Sequence, residues 1–314
     1  MAEFDWIAKY FAPLAKRDGA VGLLDDAAEL SGGASIVTVD ALVEGVHFLP
    51  DDPIGTVARK LVRVNVSDLI AKGARPDEAL LTLGWPSGRD EAELAEFAKA
   101  FGEELDHWGI SLIGGDTVRS PEGLFLSLTL TGAPVTERAP IRRSGAKVGD
   151  EIWLTGEHII GASLQGLQDR IRGVSSVASG IYQLPAIPAL AFAYIIATYA
   201  SASMDVSDGL LADLQKLLAA SGCGATLELS DLDVYNPDTV EWSLTDMLEI
   251  CSAGDDYQCL FTVSPSASRA MWGAMKNANL YADTIGIVGG EAGLRLTWHE
   301  KPVPLPEKTG FEHS

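Results

Sequence analysis

Aspartates recur in this chain where apolar runs stop. They stand in "GLLDDAA" (Asp25, Asp26), "IVTVDAL" (Asp40), "VNVSDL" (Asp68), "LIGGDT" (Asp116), "SMDVSD" (Asp205, Asp208) and "CSAGDDY" (Asp255, Asp256). Ser207 lies between Asp205 and Asp208, and Asp213 follows in the next apolar stretch. Strand ends gather along one edge of a sheet, so acids placed there can converge. Converged carboxylates repel one another, and keeping several ionised together requires a counter-charge. Magnesium is the usual solution, because it takes hard oxygen ligands and is often completed by substrate phosphates. Each acid also has a plainer reading. Asp208 before "GLLADL" is placed to cap a helix. Asp116 with Thr117 could make a turn, and Asp68 inside an apolar helical pattern could turn its carboxylate to water. Asp40 has the weakest such alternative, since it interrupts a strand-like run. Together the local explanations need many coincidences, so a shared cation site is the better reading.

A phosphate-bearing ligand would have to be held without a standard cradle. The chain has no G-x-x-x-x-G-K-S/T and no G-x-G-x-x-G, so it is neither a P-loop protein nor a standard dinucleotide-binding one. If ATP binds, metals and scattered donors must hold it. The candidate cations are Lys60, Lys72, Arg119, Arg142, Arg143 and Lys147, with "RRSGAK" as the one tight basic cluster; a solvated loop is its competing reading. His47 in "EGVHF" lies between Val46 and Phe48, where a lone histidine is more often structural than functional. No Ser-His-Asp or Cys-His arrangement can be assembled, so covalent catalysis has no support.

These residues need a frame. The 314 residues suggest one large domain or two ordinary ones. Hydrophobic residues at 47% and charged ones at 21% give a globular composition able to bury a core. A net charge of −21 argues against a nucleic-acid partner, though not against an anionic substrate screened by cations. Three cysteines, Cys223, Cys251 and Cys259, are odd in number and lack zinc spacing, which fits a reducing cytoplasm. The opening "MAEFDWIAKYF" has acids where a secretion signal wants bases. The stretch at 187–204, "IPALAFAYIIATYASASM", approaches a membrane span in length. It contains Pro188 and several hydroxyls and runs into Asp205, so it reads as a buried helix followed by a strand rather than a membrane segment.

Periodicity places a helix over 1–16 (Phe4, Ile7, Ala8, Phe11), a strand over 33–42, a helix over 53–74, a strand over 78–86 and a helix over 89–109 closed by Gly109. Strands at 110–115 and 124–134 flank a turn. This is an α/β layout. The polar, turn-rich segment 134–150 marks a boundary, giving expected domains 1–137 and 138–314. In the second half, strands are expected at 151–156, 201–207, 224–229, 257–263, 284–288 and 294–298. Helices are expected at 162–170, 187–200, 209–221 and 265–277. Residues 171–186 read as a long loop, which in a compact domain is often functional.

The motifs together resemble the thiamine-monophosphate kinase family, of the superfamily that includes aminoimidazole ribonucleotide synthetase and selenophosphate synthetase. The resemblance runs along nearly the whole chain. Its anchors are "DDAA" at 25–28, "TVDALVEGVHF" at 38–48, "VNVSDLIAKGA" at 64–74, "IGGDT" at 113–117, "RSGAKVGD" at 143–150, "MDVSDGLLADL" at 204–214 and "GDDYQCLF" at 254–261; "LVEGVHF" and the terminal "GFEH" at 310–313 point to the thiamine-monophosphate branch. The resemblance implies a two-domain PurM-like fold of α/β (α+β) class. Its N-terminal mixed sheet with helices binds ATP and metal and pairs across a homodimer, and its C-terminal half is an α/β sandwich. Mg²⁺ and ATP would lie in a cleft edged by the acids. Carried over position by position, Asp26, Thr38, Val39, Asp40, Asp68, Asp116, Asp205 and Asp208 look like metal ligands, Val39 through its carbonyl. Asp40, Asp68 and Asp208 stand at catalytic positions. Gly115, Asp116, Arg143 and Ser207 match nucleotide-contacting positions, and His47, Asp255 and Phe311 match contacts to thiamine monophosphate, Phe311 offering an aromatic face. The implied reaction needs no base: the nucleophile is a phosphate monoester, mostly dianionic at neutral pH because its second pKa is about 6.

Several positions depart from the family pattern. Leu24 stands where a Gly often precedes "DDAA", Val39 replaces a frequent Thr, and Ala253 replaces the first Gly of "GGDDYEL". Ala162 stands where an Asp is usual, Ala189 where an Arg is usual, and His313-Ser314 replaces a closing "HF". The losses cluster in the C-terminal half, and a missing carboxylate or arginine near transferring phosphate costs orders of magnitude in rate. Two alternatives therefore stand beside the kinase: another ATP-using member of the superfamily, and a nucleotide-binding relative with weak catalysis.

Overall fold

The computed structural model describes residues 12–15, 18–30 and 35–311. The helix expected over 1–16 lies almost wholly outside the described residues, as do Glu312, His313 and Ser314.

The chain builds two sheets. The first has five strands in the order β1-β2-β5-β3-β4: β1 Ala28–Glu29, β2 Ile36–Val43, β3 Ala74–Pro86, β4 Ser111–Ser120 and β5 Phe125–Pro134. It is mixed, since β3 and β4 run parallel while the other pairs are antiparallel. The second has seven strands in the order β12-β11-β8-β10-β6-β9-β7: β6 Glu151–Thr155, β7 Ala200–Val206, β8 Gly224–Glu228, β9 Gln258–Val263, β10 Ala282–Gly289, β11 Gly293–Trp298 and β12 Lys301–Val303. Residues 135–150 join the sheets without a helix or strand.

Helix α1, Ile54–Ala71, is the element on which the site is hung. A surface helix carries one apolar stripe, but this one is buried nearly all round, from Ile54 to Ala71. It lies against β2, β5 and β3 on one side and against β7 and β9 on the other. It therefore wedges between the two sheets, and five polar residues are buried there: Lys60, Asn65, Ser67, Asp68 and the following Lys72. Gly73 ends it at φ +71, where a Cβ would lie 2.8 Å from the Ala197 Cβ. Only glycine combines that left-handed turn with so close an approach.

Helix α2, Glu91–Trp108, begins with an Asp90–Glu93 capping box and ends at Gly109 with φ +69. The remaining helices are α3 Ala162–Ile171, α4 Val177–Gln183, α5 Ala191–Tyr199, α6 Leu210–Ser221, α7 Leu244–Ser252 and α8 Pro265–Asn277. Helices α6 and α7 cover one face of the second sheet with Leu210, Leu214, Leu217, Met247 and Ile250. Helices α5 and α8 cover the other with Phe192, Ile196, Met271 and Met275, in one core with α1.

Four expectations change. Residues 171–186 are not a continuous loop, because α4 occupies Val177–Gln183 under a Ser176–Ser179 capping box. The helix expected from 187 starts at Ala191, after Pro185 and Pro188. Helix α7 was not expected at all. Strand β4 does not stop before Asp116 but continues to Ser120. In that strand Gly115 has φ +155, and a Cβ there would fall 2.0 Å from the Leu81 carbonyl oxygen of β3. Gly115→Ala is accordingly expected to force β3 and β4 apart, with a cost of about 2 kcal/mol or more. A thermal midpoint unchanged from wild type would show that the strand accommodates a methyl group.

Candidate active site

The acids converge, but not along one sheet edge. Asp26 comes from the segment before β1, Asp40 from β2, Asp68 from α1, and Asp205 and Asp208 from the end of β7 and the turn after it. Carboxylate oxygens of Asp26, Asp68 and Asp205 lie within 4.8 Å of one another. The backbone N–H of Asp40 donates to Asn65 Oδ1 at 3.1 Å, and Asn65 donates to the Leu61 carbonyl at 2.9 Å, which pins β2 to α1. Ser67 donates to Asp205 Oδ2 at 2.8 Å, and the Thr38 hydroxyl donates to Asp68. The sequence motif "VNVSD" is thus a helical turn from which Asn65 reaches β2, Ser67 reaches β7, and Asp68 joins the cluster.

The charges divide into two groups. Asp26 is held down to about 2: burial alone would raise it, but the neighbouring Lys72 ammonium and Arg143 guanidinium outweigh that. Lys72 touches Asp25 at 2.7 Å and also Asp26, and Arg143 Nε donates to Asp26 at 2.9 Å. Asp40, Asp68 and Asp205 lack such cations. Burial, then Asp26 and Asp208, push Asp40 up to about 6. Burial, then Asp205, Asp40 and Asp26, push Asp68 well above the carboxylate range, against the Thr38 hydrogen bond. Asp205 is raised in the same way by burial and Asp26, against Ser67. These three are carboxylates without enough counter-charge, and their donor set is all hard oxygen, which suits magnesium.

Asp208 does not cap α6. The buried Asp213 carboxylate accepts from the Asp208 and Gly209 N–H groups at 3.0 and 3.2 Å, and Lys216 bridges Asp213, at 2.7 Å, to Asp208. The Asp208 side chain is left at the mouth of the cluster.

A cavity of about 1220 Å³ opens over the acids. Asp40, Asp68, Asp205, Ser207 and Asp208 line one end, and His47, Asp255, Tyr257 and Phe311 line its walls. Leu164, Leu167, Ile171 and Leu248 add apolar lining. His47 Nδ1 accepts from the Val43 N–H at 3.0 Å, which puts the proton of the neutral ring on Nε2. The tail returns here because the Phe311 N–H donates to the Asp208 carbonyl at 2.8 Å, and only glycine at 310 clears Ala212 and that carbonyl.

Six named residues behave differently. Gly115 and Asp116 sit on the exposed strand β4, outside the cluster. Asp40 pairs with Leu128, Leu128 with Leu81, and Leu81 with Gly115, so three strand spacings of about 4.8 Å put Asp116 roughly 14 Å from Asp40. Strand alternation turns it to the outer face, beside Thr82, away from α1. Lys72 and Arg143 serve Asp25 and Asp26 rather than an open phosphate position, while Arg142 pairs with Glu29 at 2.7 Å. Lys60 is buried and pairs with Asp255. Of the departures, Ala162 is fully buried at the start of α3 and does not line the cavity, whereas Ala253 does. Asn65, Ser67, Asp213 and Lys216 have no role assigned from the sequence, although the first three lie inside quoted motifs.

Residues 24–133 match the family model for the AIR synthase related protein, N-terminal domain, and residues 147–299 that for its C-terminal domain. A thiamine-monophosphate kinase of Caulobacter vibrioides is 37% identical over 326 residues, covering 99% of this chain and 90% of that protein. One of Salmonella typhimurium is 34% identical over 330 residues, covering 99% and 98%. Among solved structures, one described as "AaThiL complexed with AMPPCP and TMP" superposes with a TM-score of 0.83 at 28% identity, over 100% of this chain and 97% of that one. The thiamine-monophosphate kinase of Stenotrophomonas maltophilia K279a superposes with a TM-score of 0.74 at 29% identity, over 96% and 98%.

Proposed function

The chain belongs to the thiamine-monophosphate kinase family, on the two-domain PurM-like fold, and from that premise we propose that it transfers the γ-phosphoryl group of ATP to thiamine monophosphate, giving thiamine diphosphate and ADP. The observation that carries this is the cavity in which the under-neutralised acids Asp40, Asp68 and Asp205, with Asp208 beside them, meet His47, Asp255 and Phe311. The acids suit phosphates and their metal; the apolar and aromatic lining suits a heterocycle.

Magnesium, held by Asp26, Thr38, Asp40, Asp68, Asp205 and Asp208 with the Val39 carbonyl, would neutralise the phosphates of donor and acceptor. The chain's own part is positioning and electrostatics, since a dianionic phosphate acceptor has no proton to lose. Asp40, Asp68 and Asp208 fix the reacting end. Ser207 offers a hydroxyl to the nucleotide, and Arg143 acts at one remove, by holding Asp26 ionised beside it. His47 donates from Nε2 to the acceptor phosphate, Asp255 orients it, and Phe311 covers the rings. The domains act as 1–137, for ATP, metal and dimer contacts, and 138–314, a synthetase-like half.

We further propose a homodimer through the outer face of the first sheet. That face exposes Val39, Leu80, Val118 and Phe125, and an exposed apolar sheet face marks a contact surface. Asp116 lies on that face beside the Gly115 backbone, so their role in binding nucleotide and metal is exercised toward the paired chain. No helix among the described residues is long and apolar enough to cross a membrane, and the segment 187–204 forms α5 and β7 instead. We place the protein in the cytoplasm, with no nucleic-acid partner.

The test is direct: incubate the purified protein with Mg²⁺, ATP and thiamine monophosphate and follow thiamine diphosphate by chromatography, with thiamine and no-acceptor controls. Product from the monophosphate is expected. Nucleotide binding without product would select the weakly catalytic alternative.

A further inference from the structure

Lys60 was a candidate phosphate ligand, and its surroundings give it another task. Its side chain is 1% exposed. Burying an ammonium costs several kcal/mol unless every proton finds an acceptor. Here all three do: Nζ donates to Asp255 Oδ2 at 2.5 Å, to the His47 carbonyl at 3.1 Å and to the Tyr182 carbonyl at 3.2 Å, and it lies 4.6 Å from the Tyr182 ring centroid. An ammonium has three donors and no acceptor, so nothing remains for an incoming phosphate.

The three acceptors come from three separate segments: the loop after β2, helix α4 and the turn before β9. Two of those residues, His47 and Asp255, line the cavity. Along α1, Lys60, Val64 and Asp68 follow at i, i+4 and i+8, one face of the helix. Val64 and Asp68 open onto the cavity, and Lys60 lies behind its wall. Asp255 also has φ +74, an unfavourable conformation for a residue with a Cβ. Its N–H donates to the Ser207 carbonyl at 2.8 Å and its carbonyl accepts from Ser163 at 2.7 Å. Lys60 holds the carboxylate itself, which the Tyr257 hydroxyl also meets.

We propose that Lys60 is a positioning residue for the acceptor substrate: its buried ammonium ties His47 to Asp255 across the gap between the two sheets and fixes the pocket wall that receives thiamine monophosphate. The inference rests on the kinase reading above and adds to it a residue that touches neither substrate. It explains why a charge is kept in the core of α1, where an apolar pair would be equally stable.

The expected result for Lys60→Met is a rise of about tenfold or more in KM for thiamine monophosphate with KM for ATP within about twofold, since misplacement of a binding group by 1 Å can cost a hundredfold. Because Lys60 acts largely through Asp255, Lys60→Met made in an Asp255→Asn background should change that KM by less than about threefold. The double variant leaves no unpaired carboxylate, so it also serves if Lys60→Met alone does not fold. Equal changes in both KM values, or an undiminished effect in the Asp255→Asn background, would overturn the positioning role. Failure of the wild-type protein to use thiamine monophosphate at all would instead sink the kinase reading and the proposal with it.

Discussion

Asp68→Asn should lower Mg²⁺- and ATP-dependent turnover by about a thousandfold or more, the scale on which loss of a charged group at a transferring phosphate is felt. The same change should stabilise the metal-free protein at neutral pH. Both follow from one property. Asp68 is 8% exposed, and burial together with Asp205, Asp40 and Asp26 raises its pKa well above the carboxylate range. A carboxylate whose folded pKa is raised binds more protons folded than unfolded. Stability then falls as pH rises from the unfolded value, near 4, through the folded one. Asp40, raised to about 6, adds to the loss between about pH 4 and 6. Asp68→Asn removes one contributor, keeps an acceptor for the Thr38 hydroxyl, and loses a metal ligand. Thermal unfolding in EDTA at pH 5 and pH 8 reads this out. The variant should melt above wild type at pH 8, with the gap narrowed at pH 5, and added Mg²⁺ should raise its midpoint less than that of wild type. An Asp68→Asn protein that keeps full turnover would remove this acid from the catalytic centre. One that melts below wild type at pH 8 would remove the repulsion argument.

The acids were readable from the sequence because each interrupts an apolar run, and runs are what periodicity detects. How they meet was not readable. A strand's alternation says that Asp116 shares a face with Gly114 and Val118, but which face is inner depends on register with β3, which only the folded sheet supplies. Lys60 and Lys72 stand out as charges in an apolar helix, and sequence alone offers phosphate as the obvious partner. Their actual partners lie far along the chain, at Asp255 and at Asp25 and Asp26. Helix α4 was missed because "VASGIYQ" is one short turn-rich stretch with Gly180 inside it and no long apolar period. Helix α7 had a legible start, Ser243 with Asp246, and its apolar face Met247, Ile250 and Cys251 is one that helical spacing shows. Of the apolar residues lining the cavity, Leu248 comes from α7, so its place in the site was not read from the sequence.

Lys72→Met should be among the most destabilising single substitutions in the molecule. Lys72 is 2% exposed, and its ammonium meets Asp25 at 2.7 Å, Asp26, and the Ser203 carbonyl at 2.8 Å. It therefore joins the segment before β1, the end of α1 and strand β7. Burial works against its charge, but Asp26 and Asp25 raise its pKa and keep it protonated. Removing one partner from a buried ion pair costs about 3–5 kcal/mol, because the other charge is left in the interior. Arg143 still faces Asp26, which favours the lower end of that range, about 3 kcal/mol. The pH dependence has a definite sign. Asp26 is held down to about 2, so it contributes stability that is present above its unfolded pKa, near 4, and lost as pH falls toward 2. Without Lys72 that contribution shrinks, so the deficit should be large at pH 7 and small near pH 3. Urea denaturation in EDTA at both pH values measures it. Mg²⁺ at neutral pH should recover part of the loss in Lys72→Met, because a divalent cation beside Asp26 replaces the missing charge. A deficit of equal size at pH 7 and pH 3, unmoved by Mg²⁺, would mean that Lys72 stabilises through packing of its methylene stem rather than by neutralising the acids.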